Sequence, residues 1–172
     1  MEKSFRTAEI ARFLETTERT VRFYVEEGLW KPELGETRRG KVRRYTRRDV
    51  LGLLLVRRMA ELGLRIEKIR ELVEILRSQT WFVFEDEQNL RQRDLDDPQK
   101  EWIDFVELTA LEEEGIRLYI KLVDVESDNP MIFIEPVPYR ANKSILRMSE
   151  MEEVESIVII NVTNLFEKAM SL

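Results

Sequence analysis

The stretch TERTVRFYVEEGL, residues 17–29, has the pattern of one short amphipathic helix with both of its ends marked. Thr17 suits the position before the first turn, because its hydroxyl can accept a hydrogen bond from an unpaired backbone amide. Gly28 is typical of the residue at which a helix ends. The apolar positions that share one face are Val21, Tyr24 and Val25. The opposite face carries Glu18, Arg19, Thr20 and Arg22.

The preceding stretch TAEIARFLE predicts a first helix that has Thr7 as its N-cap. Its apolar face consists of Ile10, Ala11, Phe13 and Leu14. Only a few residues separate this helix from the next one, which is the spacing of a helix-turn-helix. Two arginines and a hydroxyl near the start of the second helix suit DNA phosphates and base edges.

The following segment places seven cationic side chains in the eleven positions 38 to 48. Pro32, Gly35 and Gly40 indicate turns, and VRRYT indicates a short strand, so the segment predicts a basic, two-stranded wing. Two further helices are expected over 47–62 and 65–79, separated by Gly63. The side chains expected to point inward are Leu51, Leu54, Leu55, Met59 and Leu62 in the first, and Ile66, Ile69, Leu72, Val73 and Leu76 in the second.

The ordered set TERTVRFYVEEGL, Pro32, VRRYTRRDV and LGLRIEKIRELV resembles the MerR-type winged-helix transcription regulators over about residues 4–77. The resemblance implies that Arg22 and Tyr24 hold phosphates, and that Arg19 and Thr20 approach the major groove. It also implies that Arg43 anchors the wing with Tyr45, whose ring has wing-to-core packing as an equal alternative. Phe23 and Val42 depart from the family, which commonly has tyrosine there. The whole predicted DNA-binding set is Thr17, Arg19, Thr20, Arg22, Tyr24, Arg38, Arg39, Lys41, Arg43, Arg44 and Tyr45.

Charge is distributed unevenly along the chain, whose formal net charge is -6. Residues 1–79 hold 19 Lys and Arg against 13 Asp and Glu, whereas residues 80–172 hold 9 against 21. The basic half suits a polyanion such as double-stranded DNA, and the acidic half should stay away from it. The absence of cysteine and histidine removes thiolate and imidazole metal ligands and the commonest general base, so no cofactor, no metal and no enzymatic activity are expected.

The acidic half predicts a smaller mixed domain over 80–172, which makes the expected fold class α+β after a mainly helical winged helix-turn-helix over 1–79. Alternating residues in IRLYIKLVDV predict a strand, and MIFIEPVPY predicts another that its prolines push towards a sheet edge. SILRM is a candidate fourth strand. WFVFEDEQNLRQRDLDDPQK fits either a linker or a strand followed by a short helix. Residues 98–111 fit the first arm of a hairpin, which turns at Gly115 into IRLYIKLVDV, better than the family's coiled-coil helix, because their apolar residues form no heptad.

A C-terminal helix over 150–170 is expected from the capping-box spacing of Ser149 and Glu152, with SIVIINV as a strand as the alternative. Its apolar stripe is too wide for an exposed helix, so it is the expected homodimer contact. An aromatic ligand site is a further candidate, although ordinary core packing explains the same residues better. Its members are Trp81, Phe84, Trp102, Tyr119 and Tyr139.

These patterns predict a cytoplasmic, homodimeric regulator that binds an inverted-repeat promoter site. By resemblance its partners include RNA polymerase, and a small-molecule effector is left open. The sequence contains no apolar run long enough to span a membrane. The alternative is an architectural or accessory DNA-binding protein, such as a partition, recombination or phage factor, whose acidic half binds other proteins.

Overall fold

The computed structural model describes residues 4–34, 43–78, 81–86, 89–94, 116–125, 130–138 and 157–172. The chain divides into two compact units, which are described separately. The first contains Met1–Val73 and Leu165–Leu172, and the second contains Glu74–Asn164. The boundary expected from the sequence at residue 79 remains a prediction. The fold is of the α+β class, with a helical N-terminal region followed by small antiparallel sheets and a C-terminal helix.

The first unit opens with the elements expected of a winged helix-turn-helix. They are β1 (Phe5–Arg6), α1 (Thr7–Phe13), α2 (Glu18–Glu26), β2 (Arg44–Tyr45), α3 (Arg47–Glu61) and α4 (Ile66–Ser78), the last of which continues past Val73. Thr7 is not the N-cap of α1, as the sequence had suggested. That position belongs to Arg6, which has extended backbone and whose amide donates to the Glu9 carboxylate at 2.6 Å.

The core of the first unit is built around α3, which is buried over most of its circumference. Besides the expected inward residues, Leu53 and Val56 are also fully buried. A fully buried leucine stabilises the fold by roughly 1.5–3 kcal/mol, so this helix dominates the packing. Leu62 is 40% exposed and does not point inward as predicted. It follows the end of α3, where Gly63 takes a φ of +86° and turns the chain away.

The second unit contains five described strands in antiparallel pairs. They are β3 (Trp81–Asp86), β4 (Asn89–Asp94), β5 (Ile116–Val123), β6 (Met131–Pro138) and β7 (Ile157–Asn161). β3 pairs with β4 to form a hairpin. For this stretch the sequence had left two alternatives, a linker or a strand followed by a short helix. The other strands form a sheet of order β6-β5-β7. Among the described strands, the proline-containing β6 therefore lies at an edge of this sheet, as predicted.

The C-terminal segment differs from the predicted helix over 150–170. Residues 157–161 form β7, which pairs with β5 through Ile160 opposite Ile120, and only Val162–Met170 is helical. The run Ile157, Val158, Ile159, Ile160 is rich in β-branched side chains, which favour a strand. Asn161 ends β7 and caps the final helix, α5 (Val162–Met170), by accepting from the Asn164 amide at 3.0 Å.

The last residues of the chain contact the start of the first unit. The Lys168 ammonium lies 3.7 Å from the Glu15 carboxylate and 5.6 Å from the centre of the Phe13 ring. Phe166 and Ala169 of the same helix are buried. α5 is thus partly buried, although not through the wide helical stripe that the sequence indicated.

Several predictions concern residues that the structure does not describe. The first arm and turn of the predicted hairpin, the strand SILRM and the helix start at Ser149 all lie outside the described residues. Within the described ranges, no helix is both long enough and apolar enough to cross a membrane.

Candidate nucleic-acid interface

The helix α2 begins and ends as its sequence predicts. The Thr17 hydroxyl oxygen accepts from the Thr20 amide at 3.1 Å and lies 2.9 Å from the Thr20 hydroxyl. Gly28 follows the helix with a φ of +70°, a conformation that disfavours residues with a Cβ atom. Buried Val21 and Tyr24 attach the helix to the core. The threonine hydroxyls therefore cluster at the helix N-terminus, where the backbone dipole favours an anion.

The outward face of α2 carries the cationic side chains expected to meet DNA. Arg19 and Arg22 are both exposed. Arg22 donates to the Glu18 carboxylate at 2.6 Å, one turn away. Exposed ion pairs of this kind contribute little stability, so a phosphate can replace Glu18 at a small cost. The contact places the Arg22 guanidinium group beside Glu18 on the exposed surface of the helix.

Tyr24 has a largely buried ring whose hydroxyl lies in a charged environment. Burial raises the pKa of Tyr24, Arg57 lowers it, and Glu61 raises it. Arg57 in turn donates to the Glu61 carboxylate at 2.7 Å. Its neighbour Phe23 remains 37% exposed, with ring centroids 6.3 Å apart. The two aromatic residues thus differ in role: Tyr24 joins α2 to α3, whereas Phe23 adds apolar surface beside the arginines.

The C-terminal end of α2 is held by a side chain from α4. The Arg70 Nε donates to the Glu27 carbonyl at 2.9 Å, and its terminal nitrogen lies 3.4 Å from the Glu27 carboxylate. Carbonyls at a helix C-terminus lack partners within the helix and attract cations. Arg70 therefore links the C-terminal end of α2 to α4.

The two ends of the wing meet at one buried carboxylate, Asp49. Its Oδ1 accepts from the Trp30 indole at 3.0 Å and from the Glu33 amide at 3.0 Å, and its Oδ2 accepts from the Thr46 amide at 2.8 Å. The Thr46 hydroxyl accepts from the Asp49 amide and donates to the Glu33 carboxylate at 2.7 Å. We name these four residues, Trp30, Glu33, Thr46 and Asp49, the wing base.

Three of the four wing-base residues, Trp30, Thr46 and Asp49, are buried, whereas Glu33 is exposed. Burial raises the pKa of Asp49; the hydrogen bonds from Thr46, Trp30 and Glu33 oppose that shift, and the Glu33 charge adds to it. Trp30 is 2% exposed and its ring covers Gly52 of α3, where a Cβ atom would lie 2.3 Å from the indole. Glycine is thus required beneath the ring. These hydrogen bonds join the segments on either side of residues 35–42 to the start of α3.

The described end of the wing pairs with the N-terminal strand. In this antiparallel pair Phe5 lies opposite Tyr45 and Arg6 lies opposite Arg44. Tyr45 is fully buried, and its hydroxyl makes no hydrogen bond with any described residue, so its burial favours the packing alternative. Arg44 is exposed and Arg43 is half-buried.

The remaining predicted site residues are only partly described. Arg38, Arg39 and Lys41 lie outside the described residues, as do Trp102 and Tyr139. Tyr119 is half-buried, and only the backbone is described at Trp81 and Phe84. The aromatic ligand site therefore remains a prediction. Among the described side chains, no group of acidic residues is arranged to hold a metal ion.

Two features of the interface were missed from the sequence. The wing base has one local signal, the spacing Thr46-x-x-Asp49, which is that of a capping box. Nothing local indicates that Asp49 also binds Trp30 and Glu33, because that depends on tertiary folding. Arg6 was missed as a neighbour of Arg44 for the same reason, since β1 is two residues long.

Comparison with known proteins identifies relatives of the N-terminal region. Residues 5–75 match the profile described as MerR HTH family regulatory protein. Over 71 residues the chain is 34% identical to the HTH-type transcriptional regulator ZntR of Escherichia coli strain K12, and equally to the protein of that name from Escherichia coli O157:H7. The matched region is 41% of this chain and 49% of each relative. The chain thus spans about half the length of the curated relatives it matches.

Proposed function

Residues 5–75 are a MerR-family helix-turn-helix domain, and from that premise we propose that the protein is a sequence-specific DNA-binding transcription regulator. The observation that carries the proposal is the outward face of α2, on which Arg19 and Arg22 are both exposed beside the capped helix start. A helix presented in this way fits the major groove, where arginine recognises guanine.

The side chains of the proposed interface fall into two groups, those that contact bases and those that contact phosphates. Arg19 and Thr20, in the first turn, are placed for base edges, as in other recognition helices whose N-terminal residues contact bases. Arg22 and Tyr24, further along, are proposed to hold phosphates. Arg43 and Arg44 extend the contact along the backbone through the wing. This arrangement separates residues that give sequence preference from residues that give charge-dependent affinity.

The protein is proposed to act as a homodimer on an inverted repeat, because a two-fold protein matches a two-fold site. The second unit would hold two DNA-binding domains at a fixed separation, with RNA polymerase as the partner at the promoter and a small molecule as an optional effector. Sedimentation of the full chain measures directly whether the protein forms a dimer. A monomer at micromolar concentration, with and without DNA, contradicts the dimer.

The test of DNA recognition compares Arg19→Ala with Arg22→Ala on the full chain. Binding sites are first selected from random duplexes, and affinities are then measured at several salt concentrations. We expect Arg19→Ala to relax the preference at one base position, at a cost of about 1–3 kcal/mol. We expect Arg22→Ala to weaken all duplexes alike and to reduce the salt slope by about one.

The matched control is Arg12→Ala, which removes an exposed arginine from α1 rather than from α2. It should leave both the base preference and the salt slope unchanged. Failure to select any common site, with sequence-independent coating of long DNA, supports the architectural alternative instead. If both α2 variants bind DNA as tightly as the wild type, the proposal is contradicted.

A further inference from the structure

The short sheet formed by β1 and β2 brings together two arginines from distant parts of the sequence. Its register places Arg6 opposite Arg44 and Phe5 opposite Tyr45. Phe5 is 3% exposed and Tyr45 is fully buried, whereas both arginines are exposed. Because side chains alternate along a strand, the two guanidinium groups project from the same solvent-facing side.

Such a pair is unfavourable unless an anion lies between its members. Directly opposed residues in an antiparallel pair have Cβ atoms about 4.5–5.5 Å apart, and like charges there are destabilising. In the part of the chain that the structure describes, neither arginine forms an ion pair with a carboxylate. The nearby Glu9 carboxylate accepts from the backbone amide of Arg6 and not from its side chain.

We propose that Arg6 and Arg44 together bind one phosphodiester of the DNA backbone. Two guanidinium groups on adjacent strands can donate to the same phosphate, and each presents its donors in a planar fork that matches phosphate oxygens. The buried Phe5 and Tyr45 behind them hold the two backbones in register. This site rests on the proposed function and extends it, because Arg6 lies outside the basic stretch over 38–48.

The experiment uses the full chain and a duplex of unrelated sequence, so that base recognition does not enter. Arg6→Ala, Arg44→Ala and the double variant are titrated at several salt concentrations. For one shared phosphate, the double variant lowers the magnitude of the salt slope by about 0.9 in total, and each single variant lowers it by less. A reduction of about 1.8 in the double variant means two separate phosphates and overturns the shared site.

Controls separate this site from general charge and from folding. Arg12→Ala removes the same charge from α1, and a slope change equal to that of Arg6→Ala attributes the effect to net charge and overturns the proposal. Arg6→Lys should recover most of the slope, because it keeps the charge while losing the fork. Substitution at Arg6 leaves its backbone bond to Glu9 in place, so the domain should remain folded.

A measurement without DNA distinguishes failure of this site from failure of the proposed function. Inorganic phosphate, at constant ionic strength, should raise the melting temperature of the wild type more than that of the double variant. If the wild type binds no DNA but shows this difference, the anion site stands and the regulator function fails. If the wild type binds DNA, and the variants match it both in the salt slope of DNA binding and in the rise of melting temperature with phosphate, the site is disproved.

Discussion

The indole nitrogen of Trp30 donates to the carboxylate of Asp49 across 3.0 Å, and neither residue is more than 2% exposed. Trp30 precedes residues 35–42 and Asp49 follows them, so this contact joins the two segments that flank the predicted wing. The amides of Glu33 and Thr46 add two more donors to the same carboxylate. A buried carboxylate is normally costly, and here neutral donors from both ends of the wing offset that cost.

Replacing Asp49 should destabilise the domain. Asp49→Asn keeps one acceptor oxygen but turns an NH₂ group towards the Thr46 amide, so we expect a loss of about 1–3 kcal/mol in the free energy of unfolding. Asp49→Ala leaves every donor unpaired and should cost about 2–4 kcal/mol. Urea unfolding measures both. Glu67→Gln, which removes a charge from an exposed position of α4, should be near neutral, and equal effects at the two positions would contradict the assignment.

The stability contributed at Asp49 should depend on pH with a defined sign. Burial raises the pKa of Asp49, so between the ordinary and the raised value the folded protein keeps a proton that the unfolded chain has lost. Acidification through that interval therefore favours folding at this group. Relative to Asp49→Asn, the wild type should gain stability as the pH falls through the raised pKa, and the gain should level off below the ordinary pKa. Unfolding both proteins at a series of acid pH values tests this, and a constant or opposite difference refutes it.

Gly52 should not tolerate a methyl group. A Cβ atom there would lie 2.3 Å from the Trp30 ring, and the ring has no free space to move into because it is buried. We expect Gly52→Ala to lower the free energy of unfolding by about 1–3 kcal/mol. In a Trp30→Leu background, which removes the ring, the same substitution should cost much less. Equal costs in the two backgrounds would show that the strain arises elsewhere.

Tyr24 should make the stability of the folded protein depend on pH in the alkaline range. Burial raises the pKa of its phenol, and Glu61 raises it further while Arg57 lowers it. The folded protein therefore keeps the phenolic proton where the unfolded chain loses it, so stability should fall as the pH rises from the ordinary tyrosine pKa to the raised one. Tyr24→Phe should remove that part of the alkaline decline. A tyrosinate absorbance titration follows the group directly, and normal titration of every tyrosine would count against the assignment.

Arg70 should influence DNA binding through α2. Arg70→Ala removes the donor to the Glu27 carbonyl, and because terminal charge effects on helices are modest, we expect affinity to fall by about two- to fivefold. Glu27→Gln removes only the weaker contact to the carboxylate and keeps the carbonyl bond, so it should have little effect. Fluorescence anisotropy with a selected duplex measures both. An Arg70→Ala protein with unchanged affinity, or one whose loss is matched by Glu27→Gln, would show that the carbonyl contact does not position α2.

The sequence predicted those elements whose determinants are local. The helix α2 followed from Thr17, the apolar face and Gly28, which act within a few residues of each other. The strand β7 was assigned to a helix, because Ile157 to Ile160 fit both a wide helical stripe and a buried strand until the pairing with β5 decides between them. Asp49 and Arg6 could not be placed as site residues, since their partners come from separate segments that only folding brings together.

The final helix has a consequence for the order in which the protein folds during synthesis. Lys168 contacts Phe13 and Glu15, and residues 165–172 belong to the same compact unit as the helix-turn-helix. A nascent chain leaves the ribosome N-terminus first, so α1 and α2 are made long before α5 exists. Contacts between such distant positions form slowly, because a long loop must close first. The unit that begins to fold first therefore gains its last contacts late, and a ribosome-bound chain exposes Phe13 and Glu15 before α5 can reach them.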